Sequence, residues 1–550
     1  MRVAEVVGRA LVSAGVDHVF GVVGSGNFRV TNAMVDGGAR FVAARHEGGA
    51  ATMADAYART AGTVAAVTVH QGCGLTNAMT GLAEAAKSRT PLVVVAAEVS
   101  TPTSNFHVDQ DALARAVGAV PLRITSPATA AADAVAAVAT AVHERRTVLL
   151  NLPIDVADLD AGDPQIPPRP AAPAPVAAAE GDVERLAAAL RAARRPVFVA
   201  GRGARSAVAR EALRALGERC GALLATSAVA KGLFSDDPWS LDVSGGFSSP
   251  LAAELIAGAD LVVGWGCALN MWTMRHGRLI ADGATVVQVD DTPEALGVHR
   301  GIDVGVLGDV AATAGAVLAV RGAGTSTGAE VDAAAGYRTT EVRHRLATEL
   351  RWRDVPYTDT TGADRIDPRT LTIVLDDLLP AQRVVAVDSG NFMGYPSMFL
   401  SVPDEQGFCF TQAFQSIGLG LATAIGAALA QPGRLPVAAL GDGGALMAAA
   451  ELETVARLGL PMVVVVYNDD AYGAEVHHFA GEPLGTVRFP PTDIAAVGAG
   501  YGFEAVIVRD ADDLDAVAAW VAGPRTRPLL IDAKVRADEP AWWLAEAFGH

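Results

Sequence analysis

The chain has 550 residues, of which 51% are apolar and 19% charged. That is material for more than one large core, since single hydrophobic cores stop growing near about 250–300 residues, and it excludes general disorder. With 43 Lys and Arg against 61 Asp and Glu the formal net charge is −18, which argues against a general affinity for nucleic acid or anionic membrane.

The first residues, MRVAEVVGRALVSAGVDHVFG, carry Glu5 in an amphipathic pattern that predicts a helix running into a strand. They lack the uninterrupted apolar core and small-residue cleavage site of a signal peptide. No apolar run approaches the ~20 residues that span a bilayer, so a soluble, cytoplasmic protein is expected. Strands are predicted at TVAAVTVH (63–70), PLVVVAAE (91–98) and TVLLNLP (147–153). Residues 163–176, DPQIPPRPAAPAPV, concentrate proline and read as an extended linker. Strands follow at RPVFVAG (195–201), ADLVVGWG (259–266) and ATVVQVD (284–290), and residues 321–362 then lose the apolar rhythm and read as a second linker. The last strands are RVVAVD (383–388), LPVAALGD (435–442), PMVVVVYN (461–468) and PLLIDAKV (528–535). Apolar strands alternating with Ala/Leu-rich helical stretches indicate parallel α/β sheets, here in three blocks, 1–162, 177–320 and 363–550. Ligands of such sheets bind beyond the C-terminal ends of the strands. The four cysteines, Cys73, Cys220, Cys267 and Cys409, are scattered without a CxxC pair, so no disulfide framework or zinc site is expected; Cys73 reads as a small packing residue.

The most informative stretch is 441–473, GDGGALMAAAELETVARLGLPMVVVVYNDDAYG. It reads as a strand, a Gly-Asp-Gly-Gly loop, a helix over 445–458, a turn, a second strand and the polar cluster Asn468, Asp469 and Asp470. Glycines let backbone N–H groups approach a phosphate, and a following helix points its positive end at the same place. Asp442 and the polar cluster end two strands that bracket one helix, which suits Mg²⁺ bound through one or two carboxylates beside a phosphate.

This signature, with ELET, LP and a trailing YG, resembles the diphosphate-binding motif of thiamine diphosphate-dependent enzymes, most closely the acetolactate synthase-like 2-oxoacid decarboxylases and carboligases. The resemblance implies three domains in the order pyrimidine-binding (1–162), central (177–320) and diphosphate-binding (363–550). It implies Asp442, Asp469 and the Ala471 carbonyl as metal ligands supported by Asn468, with Gly441, Gly443, Gly444, Tyr472 and Gly473 around the cofactor. The usual Asn at the second metal position is Asp469 here, as in relatives that read NDNAYG. Glu47, in RHEGGAATMADAYAR, matches the family acid that hydrogen-bonds the aminopyrimidine N1′ and so promotes loss of the thiazolium C2 proton through the 4′-amine. In QSIGLGLATAIGAAL (415–429), Ile417 matches the wedge between the cofactor rings and the Gln415 carbonyl the acceptor of the 4′-amine, although the family usually has glycine at Gln415. In DSGNFMG (388–394), Ser389, Gly390 and Asn391 match a loop that touches the diphosphate.

Three loops are implied to face the thiazolium: FGVVGSGNF (20–28) with Ser25, HQGCGLTN (70–77) with His70 and Gln71, and NFHVDQDA (105–112) with Gln110. The Ser25 and His70 pairing resembles benzoylformate decarboxylase, where a serine and a histidine act on the substrate. His477 and His478 read either as proton shuttles or as the start of a helix. ALNMWT stands where FAD-binding acetolactate synthases carry an arginine-bearing loop, which argues against FAD. In the family the cofactor lies between the first domain of one subunit and the third of another, so a homodimer at least, commonly a homotetramer, is implied. The expected reaction is decarboxylation of a 2-oxoacid, pyruvate foremost, with transfer of the acyl anion equivalent to a second carbonyl compound. The alternatives are a simple decarboxylase or hydroxy-ketone lyase, or a catalytically silent regulatory subunit.

Overall fold

The computed structural model describes residues 1–320 and 336–547. They form three six-stranded sheets, each wholly parallel. In spatial order the first sheet runs Arg40–Ala43, His18–Gly21, Ala65–Val69, Leu92–Glu98, Thr147–Pro153, Val120–Arg123. The third runs Phe408–Phe410, Arg383–Val387, Leu435–Gly441, Val463–Asn468, Leu529–Lys534, Glu504–Val508. Numbered from the start of each sheet, both follow the order 2-1-3-4-6-5, so they are one topology used twice. The central sheet runs Val304–Leu307, Thr285–Asp290, Leu261–Trp265, Pro196–Ala200, Leu223–Thr226, Ser240–Val243, which is the doubly wound order 3-2-1-4-5-6 read from its other edge.

Parallel sheets have a topological switch point where consecutive crossovers leave in opposite directions, and a crevice opens there beyond the strand ends. In the first sheet it lies between His18–Gly21 and Ala65–Val69, whose following loops carry Ser25 and His70. In the third it lies between Arg383–Val387 and Leu435–Gly441, whose following loops carry Ser389 and Asp442. In the central sheet it lies between Pro196–Ala200 and Leu261–Trp265, and a cavity of about 820 Å³ opens beside it, lined among others by Gly201, Arg202, Gly266, Trp272, Gln415 and Trp543.

The first and third domains share one apolar core. Its centre is the helix Glu47–Ala61 packed on the helix Gly420–Ala430, both rich in Ala and Gly so that the backbones approach closely. An added Cβ on Gly426 would overlap the Met53 carbonyl oxygen. A buried charge network reinforces the joint. Arg59 donates to Asp55 at 2.9 and 2.5 Å and to Glu84 at 2.7 Å, and reaches the Phe410 carbonyl of the third domain at 3.1 Å.

Two expectations need correction. The stretch 321–362 is not wholly a linker: residues 321–335 lie outside the described residues, but Thr340–Glu349 form a helix. Its Val342 and Leu346 pack on the central domain, an apolar face that is easily missed because the rest of the helix is charged. The helix expected over 445–458 instead starts at Asp442 and breaks at residues 448–450 into Asp442–Met447 and Glu451–Arg457. The break lets Glu451 turn toward the first domain. Residues 163–176 carry neither helix nor strand, and no helix among the described residues is long and apolar enough to cross a membrane.

Gly426→Ala is expected to destabilise the fold by about 1–3 kcal/mol through overpacking at the helix joint. Thermal unfolding of the full chain reads this, and an unchanged midpoint would mean that the two helices have room to spare.

Candidate active site

At the end of the third sheet, Asp442 and Asp469 lie side by side, close enough for the charge of one to act on the other. Asp442 is 8% exposed. Burial pushes both above the ordinary carboxylate range, and the charge of Asp442 raises Asp469 further. The pairing follows from a local turn. Asp470 stands in the left-handed region at φ 56° and swings out to Arg365 at 2.5 Å, while the neighbouring Asp469 turns toward Asp442. Asn468 points into the core, donating to Asp532 at 2.8 Å, so it supports the loop and is not itself a ligand. The glycines make a cradle. A Cβ on Gly443 would overlap the Tyr472 ring, one on Gly473 the Asp469 carboxylate and one on Gly444 the Asp388 carboxylate.

Two buried carboxylates that repel each other stand next to backbone N–H groups at the start of Asp442–Met447, hard-oxygen acceptors and N–H donors of the kind that suit a small divalent cation beside an anion. Among the described residues no three His, Cys, Asp or Glu side chains form a metal-holding group. A cation here would therefore complete its shell with backbone carbonyl, such as that of Ala471, and ligand oxygens.

The neighbouring loops need more revision. Asn391, expected at the diphosphate, serves the C-terminal segment: its side-chain oxygen accepts from Ala541 N–H at 3.0 Å and its carbonyl from the Trp543 indole at 2.8 Å. Ser389 remains partly exposed beside Gly390, which needs its freedom at φ 140°. Gln415 is exposed and sits at φ 61°, a conformation glycine adopts freely and other residues adopt at a cost of about 1–2 kcal/mol. Glutamine in place of the expected glycine thus leaves the backbone geometry intact, under strain. Ile417 is half-buried two residues on.

At the end of the first sheet, Glu47 opens the helix Glu47–Ala61 and accepts from the Asn77 side chain at 3.0 Å. Gly74 lies between Glu47 and His70: a Cβ there would stand 3.4 Å from a Glu47 carboxylate oxygen and 3.2 Å from the His70 Cβ. His70 Nδ1 accepts from Gly26 N–H at 3.3 Å, which leaves the proton of the neutral ring on Nε2. The same contact ties the exposed Ser25 turn to the His70 loop, and Phe106 meets the imidazole edge-on at 5.4 Å.

Gln110 does not reach into this space. It is 2% exposed, its amide donates to Asn151 at 2.7 Å and its oxygen accepts from Gly72 N–H at 3.3 Å, so it braces the His70 loop from behind. Cys73 is exposed at the start of the helix Cys73–Lys87 and is not a packing residue. His477 lies in the helix Gly473–His478. Burial holds it below the usual histidine range, and among the described residues no hydrogen bond joins it to Glu47 or His70.

The residues missed by the sequence are buried acids that act at a distance. Glu451, 2% exposed, accepts with one oxygen from both Arg45 N–H and His46 N–H at 3.0 Å, and so fastens the turn that presents Glu47. Asp388 and Glu84 grip the segment carrying Gln415 and Ile417 in the same way. ELET contains Glu451, but no local spacing marks any of the three as structural clamps.

Two parallel sheets of one topology, one presenting a glutamate and a histidine and the other a carboxylate pair over a glycine cradle, are the arrangement of a cofactor-dependent α/β enzyme. The chain belongs to the thiamine pyrophosphate enzymes. Residues 1–114 match their N-terminal TPP binding domain, 183–317 their central domain and 388–533 their C-terminal TPP binding domain. A sulfoacetaldehyde acetyltransferase of Rhodobacter capsulatus is 28% identical over 98% of this chain and 95% of its own length. A probable 2-ketoarginine decarboxylase of Pseudomonas aeruginosa is 31% identical over 92% and 89%. A catabolic acetolactate synthase of Raoultella terrigena is 26% identical over 96% and 95%.

The carboxylate pair sets a linkage. Because its proton affinity is raised in the folded chain, the pair makes the cation-free fold less stable as pH rises through that raised range, and a bound cation removes the penalty. Mg²⁺ binding is therefore expected to release protons and to tighten with rising pH, and Asp469→Asn to flatten that dependence. Calorimetry in buffers of different ionisation enthalpy reads both; proton-neutral binding would remove the pair from the cation site.

Proposed function

We propose that this enzyme decarboxylates a 2-oxoacid, pyruvate foremost, and transfers the acyl anion equivalent to a second carbonyl compound, with Mg²⁺ anchoring the cofactor. The observation that carries it is the division of labour between two like sheets: a proton-handling pair, Glu47 and His70, on either side of Gly74 in one, and a carboxylate pair over a glycine cradle in the other. The full-length likeness to an acetyltransferase and an acetolactate synthase favours transfer over simple release.

Thiamine diphosphate, when bound, supplies a nucleophilic carbon and accepts the electrons released as CO₂ leaves. The chain supplies the rest. Asp442, Asp469 and the Ala471 carbonyl would hold the cation, and N–H groups of the glycine loop would meet the diphosphate. Glu47 would hold a proton at the pyrimidine N1′, the Gln415 carbonyl would accept from the 4′-amine and Ile417 would pack against the rings. His70, with its proton on Nε2, orients the substrate and donates that proton, while Ser25 binds the carboxylate.

A second reading has its own support. A histidine proton donor this close to Glu47 also suits a decarboxylase that protonates its product, in line with the likeness to the probable 2-ketoarginine decarboxylase. Pyruvate supplied with and without an aldehyde or ketone acceptor separates the two: coupled product supports transfer, and acetaldehyde in both assays overturns it in favour of release.

We also propose that the working form is at least a homodimer in which the Glu47 face of one protomer meets the Asp442 face of its partner. Large apolar side chains stand exposed on both faces, Phe28 opening the helix after the Ser25 turn and Phe106 against His70, with Leu446 and Met447 in the cation-loop helix, as expected of surfaces that meet another chain. Glu47→Gln and Asp442→Ala should each lose activity by about 10²-fold or more. Mixed and reassembled, they should regain about a quarter of the unmodified activity, because a dimer carrying one of each has one intact site. No recovery, with mixed dimers demonstrated by native mass spectrometry, would place both residues in one protomer's site.

A further inference from the structure

The segment that carries Gln415 and Ile417 is gripped at both ends by fully buried carboxylates. At its start Glu84, on the helix Cys73–Lys87 of the first domain, accepts from Ala413 N–H at 3.2 Å and from Phe414 N–H at 2.7 Å. At its end Asp388, just beyond the strand Arg383–Val387, accepts from Gly418 N–H on both oxygens at 3.0 Å and from Leu419 N–H at 3.2 Å. Between the two grips stands Gln415, left-handed at φ 61°, followed by Ile417.

The two acids differ in what sustains them. Glu84 has the Arg59 guanidinium at 2.7 Å. Asp388 is 0% exposed, its hydrogen-bond donors are the N–H groups of Ser389, Gly418 and Leu419, and among the described residues no cation forms an ion pair with it. A buried carboxylate without a cation is costly, and a neutral acceptor or an apolar side chain would serve a mere packing role more cheaply. Gly444 lies so close to Asp388 that a Cβ would overlap the carboxylate, so the acid is packed against backbone on that side as well, while its hydrogen bonds go to residues 389, 418 and 419.

We propose that Asp388 is a positioning residue for the reaction: with Glu84 it clamps residues 413–419 and holds the strained turn that presents the Gln415 carbonyl and the Ile417 side chain to the cofactor. This rests on the thiamine diphosphate reading of that turn. The clamp acts on geometry at the cofactor rings and leaves the cation anchor, Asp442 and Asp469, untouched. It therefore predicts a separation of turnover from cofactor affinity that a simple stabilising role would not give.

The test uses the full-length protein with thiamine diphosphate and Mg²⁺. Asp388→Asn keeps the size but turns a donor toward Gly418 N–H. In this variant kcat at saturating cofactor should fall about tenfold or more, while the cofactor dissociation constant stays within about fivefold. The near-ultraviolet circular dichroism of the bound cofactor should change, and amide hydrogen exchange at residues 418–420, read without cofactor, should quicken. Adding Gln415→Gly should restore about threefold or more of the lost kcat, since glycine takes up the left-handed turn without being held there. Turnover within about twofold of the unmodified enzyme, or an activity loss wholly recovered by excess cofactor, overturns the proposal. Should Asp388→Asn fail to fold, Gly444→Ala displaces the carboxylate from the opposite side, and unchanged kcat and amide exchange there overturn it equally. Failure of the unmodified protein to bind thiamine diphosphate would instead overturn the reading of the site, while the exchange measurement would still report whether Asp388 holds the turn.

Discussion

The site depends on how closely two small-residue helices approach each other. Glu47–Ala61 and Gly420–Ala430 meet through alanines and glycines, with Gly426 against the Met53 carbonyl, and they merge the cores of the first and third domains. One helix begins with Glu47, and the other begins directly after the segment carrying Gln415 and Ile417. A side chain even one carbon larger at the crossing would shift the two helix starts, and with them the two faces that the proposed dimer brings together across its interface. Closely packed interiors transmit such shifts instead of absorbing them. The Ala-rich composition of these helices is thus a geometric requirement on the active centre as much as a feature of the core.

Charge does what apolar packing cannot. The loops at the strand ends have no regular hydrogen-bonded partners, and buried carboxylates provide them. Glu451 holds the turn before Glu47, Glu84 the start of the Gln415 segment and Asp388 its end. Two of these cross from one domain to the other, and Arg59 links Asp55 and Glu84 to the Phe410 carbonyl. An acceptor with two oxygens can gather several backbone N–H groups that point in different directions, which no apolar side chain can do, and charge-assisted hydrogen bonds are the stronger kind. The geometry of these loops is therefore set by acids that lie behind them.

How much of this was legible in the sequence follows from the same physics. The interior strands of each sheet, Leu223–Thr226 excepted, read as continuous apolar runs because they are covered on both faces and paired on both sides. All six edge strands escaped: Arg40–Ala43, Val120–Arg123, Ser240–Val243, Val304–Leu307, Phe408–Phe410 and Glu504–Val508. They are short, and several carry Arg, Asp, Glu or Pro, the residues that keep an open edge from pairing further. In the site, residues whose partners lie nearby in sequence were readable, since the spacing of GDGG to Asp469 encodes two strands and a crossover. Glu84 and Glu451 act on backbone 330 and 405 positions away, and only the fold brings those atoms together. Gln110 and Asn391 differ for the complementary reason: each sits in a loop of the right pattern, but in the fold the amide of one and the side-chain oxygen of the other are bonded to neighbouring backbone and side chains, which no local spacing shows.

The centre is a set of unfavourable arrangements held in place by favourable ones. Asp442 and Asp469 repel each other, Gln415 is left-handed, and Asp388 is a buried carboxylate met by N–H dipoles, with no ion pair among the described residues. Each costs stability, and each persists because the shared core and the carboxylate clamps over-determine the backbone around it. A cation bound there would relieve the first cost, and a diphosphate seated on the N–H groups of the glycine loop would gain most once that cation had neutralised the carboxylates beside it. Binding of the two is then mutually reinforcing by electrostatics alone, and the folded state gains from both by mass action. A chain that carries such costs without its ligands has been shaped for the loaded state, and the strain stored at the strand ends measures how far the empty fold has been prepared for it.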